Sequence, residues 1–155
     1  NQLNELVALY NGNNWLDESY CNKLSTITEV EAFSKPFAYL HSIAEVVSHV
    51  IEWRKELLMR FKFGDPAHLT MDSPDNWISN DILRNEGWKQ LQDRLADTQK
   101  ELLNCLKPKC DRDLTAEWHP GYTYNYLLNG LIQHDLYHLG QIGLIYRIIS
   151  SQQCR

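Results

Sequence analysis

The sequence predicts an all-α protein, and three observations carry that reading. Its longer segments repeat apolar residues at helical spacing. No segment shows the strict alternation of a half-buried strand. Seven glycines and five prolines among 155 residues leave long uninterrupted stretches. Four amphipathic segments point to a four-helix bundle. Hydrophobic residues make up 43% of the chain and charged residues 23%, the balance of a folded globular protein. Residues 1–155 are read as one domain, long enough to bury a core.

The elements follow in order. Residues 2–10, QLNELVALY, place Leu3, Leu6, Val7 and Tyr10 on one face. Asn11-Gly12-Asn13 interrupts them, and NWLDESYCNKL (14–24) resumes with Trp15, Leu16, Tyr20 and Leu24. The first stretch is read as a lead-in turn and the second as the first bundle helix. Thr28 stands three before Glu31, a capping-box spacing that starts a short turn of helix up to residue 32. Pro36 to His41 is a connection. Ser42 and Glu45 repeat the capping-box spacing ahead of an apolar run. The second helix should therefore run from 42 to 62 and stop near Gly64-Asp65-Pro66.

Residues 64–80, GDPAHLTMDSPDNWISN, read as a long loop, and loops of that length inside compact domains are often functional. The third helix should occupy 81–106, with Leu83, Trp88, Leu91, Leu95, Leu102 and Leu106 as its apolar residues, and Pro108 ends it. A second connection, 107–121, carries Pro120-Gly121, and the last helix should run from 123 to 150. The long connections after the second and third helices leave the topology open.

Composition excludes several functions. Net charge is −5 and no basic stripe is present, so the phosphate neutralisation that drives nucleic-acid binding is missing. No run approaches the ~20 apolar residues of a membrane span, and no signal-peptide pattern appears. Cys21, Cys105, Cys110 and Cys154 match neither a zinc ribbon nor a redox C-x-x-C. They read as free thiols of a cytoplasmic protein, with a Cys105–Cys110 bridge as the alternative.

The chemistry lies in LIQHDLYHLGQIGLIYR, residues 131–147. At ~100° per residue, Leu127, Leu131, His134, His138, Gln141, Ile145 and Ile148 form one stripe, the expected buried seam of the last helix. Buried imidazoles need partners for both nitrogens. Two histidines four apart on a helix can converge on one metal ion, and imidazole suits zinc, nickel, copper and iron. They can equally be core histidines bonded to tyrosine or backbone. On the second helix His49 lies at the edge of the apolar arc, beside Trp53, where it can face inward or outward. His41, His68 and His119 read as solvated connection or loop residues. Asp135 lies about 100° off the seam, as a supporting or surface group.

Together, HSIAEVVSHVIEWR (41–54) and GLIQHDLYHLGQIGLIYR (130–147) resemble the DinB-like (DinB/YfiT) superfamily of metal-dependent four-helix-bundle proteins. NGNNWLDESYCNKLSTITEVEAFSKP (11–36) is similar to the opening of members of this group, and the likeness is weakest over 64–121. The resemblance implies an up-down-down-up four-helix bundle. It also implies a divalent metal held by His49, His134 and His138, with zinc or nickel favoured and iron or manganese as further candidates.

Similar members include thiol-dependent transferases and an isomerase that uses a low-molecular-weight thiol, and others are only predicted to be hydrolases. The implied partners are thus a small-molecule substrate, a low-molecular-weight thiol and a second copy in a homodimer. Three imidazoles leave a coordination position open, as catalytic sites do. The expected function is thiol transfer or hydrolysis on a small molecule, and the alternative is a non-enzymatic metal-binding or stress-response interaction bundle. Trp53, Glu45, Tyr137 and Gln141 are the expected pocket or supporting residues, with Tyr122 and Tyr124 as further aromatic candidates. No nucleophile or general base stands out.

Overall fold

A computed structural model describes residues 2–64 and 68–153. Asp65, Pro66 and Cys154, used in the sequence reading, lie outside the described residues. The described residues are all-α apart from one small hairpin. The elements are α1 (Gln2–Asn11), α2 (Tyr20–Ser25), α3 (Glu29–Ala32), α4 (Ile43–Phe63), α5 (Asn80–Glu86), α6 (Trp88–Leu106), α7 (Asp111–Thr115), β1 (Glu117–His119), β2 (Tyr122–Thr123) and α8 (Tyr124–Gln153), with a 3-10 turn at Pro74–Asn76.

The amino end departs from expectation. The stretch read as a lead-in turn is the ten-residue helix α1, which buries Leu6 and Leu9. The stretch read as the first bundle helix is mostly loop. Trp15 is 97% exposed, and Asn14 donates from its side chain to the carbonyls of Ala8 and Glu18, stabilising a non-helical path. Helix resumes only at α2, where Ser19 caps the backbone N–H of Asn22.

Both predicted capping boxes form, Thr28 with Glu31 and Ser42 with Glu45. A cap of this kind contributes about 1 kcal/mol. α4 ends where Gly64 takes the left-handed conformation at φ 62°. The predicted third helix is split. Gly87 adopts φ 92° and ψ 157°, a conformation closed to residues with a Cβ, and it separates α5 from α6. Leu83, Trp88, Leu91, Leu95, Leu102 and Leu106 are all buried as the spacing requires. The connection before α8 is not structureless: it holds α7 and an antiparallel β1–β2 pair turning at Gly121, φ 81°.

α4 packs against α6 and α8, and α1 packs against both of those helices. The core has two apolar clusters. One gathers Val46, Val50, Ile51, Leu91, Leu95, Leu139 and Ile142 with α2 and α3. The other gathers Leu6, Leu57, Leu58, Phe61, Leu102, Leu128 and Leu131. Burying each such side chain contributes roughly 1.5–3 kcal/mol before entropy is counted. Between the two clusters α4 contributes Arg54 and α8 contributes Asp135, both fully buried and ion-paired at 2.7 Å. Cys21, Cys105 and Cys110 are free thiols, so Cys105 and Cys110 form no bridge. No helix among the described residues is long and apolar enough to cross a membrane.

Candidate metal centre

The buried face of α8 keeps Leu131, His138 and Ile145 of the expected seam but is centred one position away from it. Leu128, Leu131, Asp135, Leu139, Ile142 and Ile149 are buried, whereas Leu127, Gln141 and Ile148 are only half-buried. α8 meets both α1 and α4, which rotates its most buried line toward the groove between them. His138 therefore lies on the buried face, and His134 stands at its edge. His138 is buried and the His134 side chain is 25% exposed.

His49 is buried, although the edge of an apolar arc left it free to face solvent. The cause is the connection between α4 and α5. The first nine residues of α4 are buried on every side, because this connection covers the face that α6 and α8 leave open. Asn76 is its hub. Its carbonyl accepts a hydrogen bond from His49 Nδ1 at 2.8 Å. Its side-chain oxygen accepts from Trp53 Nε1 at 3.0 Å, and its amide donates to the Met71 carbonyl. Trp77 stacks on His49 at 4.0 Å between ring centroids and on His41 at 3.7 Å. Thus His41 is stacked and bonded to Glu45 at 3.3 Å rather than simply solvated.

The three imidazoles meet. Nitrogen atoms of His49, His134 and His138, one from each, lie within 4.8 Å of one another. His49 Nε2 and His134 Nε2 are 3.1 Å apart. The hydrogen bonds settle which nitrogen is available. A carbonyl oxygen can only accept, so His49 Nδ1 carries the proton and Nε2 presents its lone pair. Gln141 Oε1 stands 2.7 Å from His138 Nδ1 and sets the same tautomer there. His134 Nδ1 is buried without a hydrogen bond, and so is Asp135 Oδ1, which faces it at 3.5 Å.

Burial pushes His49 and His138 down to about 4, with the neighbouring imidazoles adding to the shift. Both are neutral at pH 7, the form that binds a metal. The His49 Nε2 lone pair faces His134 Nε2 at 3.1 Å, and no hydrogen bond fixes the His134 tautomer. That place is filled by a proton on His134 Nε2 or by a cation, and three imidazoles this close fit a divalent ion.

The surroundings are committed elsewhere. Asp135 Oδ2 accepts from Arg54 Nε at 2.8 Å, and Tyr10 and Tyr20 flank the guanidinium. Asp135 is therefore a buried support and not a surface group. The Tyr20 hydroxyl donates to the Asp135 carbonyl at 2.7 Å. Its burial, then the Asp135 charge, hold the phenol well above its ordinary value and keep it protonated. Glu45 caps α4, pairs with Lys35 at 3.0 Å and accepts from the Asn80 N–H. Burial opposes its ionisation, but these partners outweigh that and hold its carboxyl below the usual range.

Trp53 lies 5.9 Å from the His134 ring. Tyr137 is exposed and meets His138 edge-on at 5.1 Å. Tyr124 stacks on Phe61, away from the imidazoles, and Tyr122 is exposed. His119 packs on Trp118 beside the hairpin turn. Asn76, Trp77, Arg54 and Tyr20 escaped the sequence reading. Tyr20 reads only as an apolar-face residue, and Asn76 and Trp77 only as part of the long 64–80 loop, because each joins the centre through residues distant in the chain.

Comparison with protein families finds a match over most of the chain. The model described as the DinB superfamily matches residues 22–142, which include all three histidines, Asn76, Asp135 and Gln141. No curated protein and no solved structure matches the chain.

Proposed function

Because this chain belongs to the DinB superfamily, we propose that it is a divalent-metal-dependent enzyme of up-down-down-up four-helix architecture. It acts on a small molecule by thiol transfer, with hydrolysis as the second reaction class. His49, His134 and His138 hold the ion through Nε2. Zinc or nickel suits three imidazoles best, and iron or manganese is compatible. A divalent ion with an open coordination position supplies acidification of a bound thiol or water.

The observation that carries this reading is the convergence of three imidazoles, two of them in a fixed tautomer, beside a partly exposed His134. The chain's own groups prepare the centre. Asn76 and Gln141 fix tautomers. Asp135, held by Arg54, stands ready to accept the His134 Nδ1 proton. Trp77 and Trp53 exclude water from His49.

Thiol transfer is preferred to hydrolysis because, among the described residues, the carboxylates near the centre are paired with cations, and the oxygen left without a hydrogen bond, Asp135 Oδ1, faces His134 Nδ1. Glu45, Glu56 and Asp135 are all engaged by cations. Hydrolysis would call on such a group as general base, whereas a thiolate is itself the nucleophile. The same lack of a base also favours the second reading, a bundle that binds metal without catalysis. The activity is proposed for a homodimer.

Metal analysis of protein purified without a metal-affinity step tests the reading. At least about half an equivalent of divalent ion is expected, lost in His138→Ala, because a site without one of its ligands no longer stabilises the native state by mass action. Metal-free protein whose melting temperature ignores zinc and nickel would sink the proposal. A loaded protein inert on a panel of low-molecular-weight thiols and electrophiles would leave the non-catalytic bundle.

A further inference from the structure

Beside the three imidazoles runs a groove of about 220 Å³ that the metal centre itself does not use. Trp53 and Leu57 of α4 form one wall, Leu127 and Leu131 of α8 form the other, and His134 closes one end. Trp53 is pinned by its bond to Asn76, so this wall is fixed by the same residue that fixes His49. Glu56 and Arg60 stand among the lining residues, but they neutralise each other. Arg60 Nε donates to Glu56 Oε1 at 2.9 Å, and the guanidinium packs over Trp118 at 4.8 Å. Glu56 also accepts the Leu69 N–H.

Gly130 lines the groove from inside α8, and a Cβ there would meet nothing within 4 Å. A glycine in a helix interior is unfavourable by about 1 kcal/mol against alanine. Here there is open space for a larger side chain beside the groove.

We propose that this groove receives the uncharged, apolar body of the substrate, an aryl or branched alkyl group, with the reactive end at His134. Apolar walls and an internally neutralised ion pair favour such a group. A carboxylate or phosphate would meet no unpaired cation there and would lie against Glu56. The position of the reactive end rests on the metal-enzyme reading, whereas the groove's preference rests on its walls alone.

Two probes separate these on the zinc-treated protein: 2-phenylethanethiol and 2-mercaptoethanesulfonate, followed by methyl NMR of Leu57, Leu127 and Leu131. The phenyl probe is expected to shift these methyls and to bind about tenfold or more tightly, as burial of a phenyl group requires. Gly130→Leu, a better helix former that fills the space, should keep the zinc content and weaken the phenyl probe by about the same factor. Equal binding of the two probes by wild type, or no effect of Gly130→Leu on the phenyl probe, overturns the proposal. If the chain takes up no zinc, the metal reading fails and 2-phenylethanol becomes the probe. Methyl shifts with it still support the groove, and their absence overturns it.

Discussion

The two walls of the metal centre are built in different ways. On α8, His134 and His138 are supported by Asp135 and Gln141, one and three residues further along the same helix. Once that helix forms, most of the wall exists. On α4, His49 depends on Asn76 and Trp77, which lie beyond the end of its own helix and across a long connection. That wall exists only when the connection docks. The centre therefore combines a local half, assembled with its helix, and a tertiary half, assembled last.

The α8 half is tied to α4 by a buried ion pair, a tertiary support, and breaking it should give the largest effect. Asp135→Ala strands the Arg54 charge in the core, where Nη1 already lacks a hydrogen-bond partner. The expected loss is about 3–5 kcal/mol in urea unfolding. Asp135→Leu combined with Arg54→Met should recover most of that loss, because two apolar groups replace two charges. A single-variant loss under about 1 kcal/mol would show that the pair anchors nothing.

Acid should act on both halves at once. His49 and His138 titrate near 4 in the folded protein, because burial disfavours the imidazolium, against about 6.5 unfolded. The unfolded chain thus takes up more protons between those values. Stability of the metal-free protein is full above about 6.5 and falls as pH drops towards 4. Thermal melts of chelator-treated protein across that range check the direction. His49→Gln combined with His138→Gln should flatten the slope, and an unchanged slope would place the acid sensitivity elsewhere.

The tertiary half has its own weak point. Asn76→Ala leaves the carbonyl that holds His49 but removes the side-chain bonds to Trp53 and Met71. Leaving the Trp53 N–H and the Met71 carbonyl unpaired should cost about 1–3 kcal/mol. Hydrogen exchange should rise first in residues 68–80, before α8 responds. Uniform protection loss across both walls would contradict a separately docked half.

The same division explains what the sequence revealed. The α8 pair, both capping boxes and the apolar face of α6 rest on contacts within a few residues, and spacing displays them. His49's burial was not legible, since the residues that cover it come from a connection whose path no periodicity describes. Asp135 looked peripheral because the stripe through the histidines was taken as the buried line. Its fully buried partner Arg54 stands on another helix, and a charged residue gives no sequence signal for burial. Gly87 divides the third predicted helix by its backbone conformation alone, and the amino end departs from its periodicity because Asn14 supports a loop through its side chain.

The smallest expected effect separates support of a ligand from support of the fold. Gln141 is half-buried, and among the described residues its oxygen bonds His138 Nδ1 alone. Gln141→Leu should barely change the unfolding midpoint of the metal-free protein, because α8 stays formed and a solvated edge is exchanged for an aliphatic one. It should nevertheless weaken zinc binding about tenfold, the low end of what removing such a supporting partner does. Without an acceptor at Nδ1 the imidazole can flip its proton to Nε2, the nitrogen that faces the other two rings. Gln141→Glu restores an acceptor and should restore affinity. If Gln141→Leu binds zinc like wild type, tautomer control at His138 comes from the ion alone, and the local wall is simpler than its hydrogen bonds indicate.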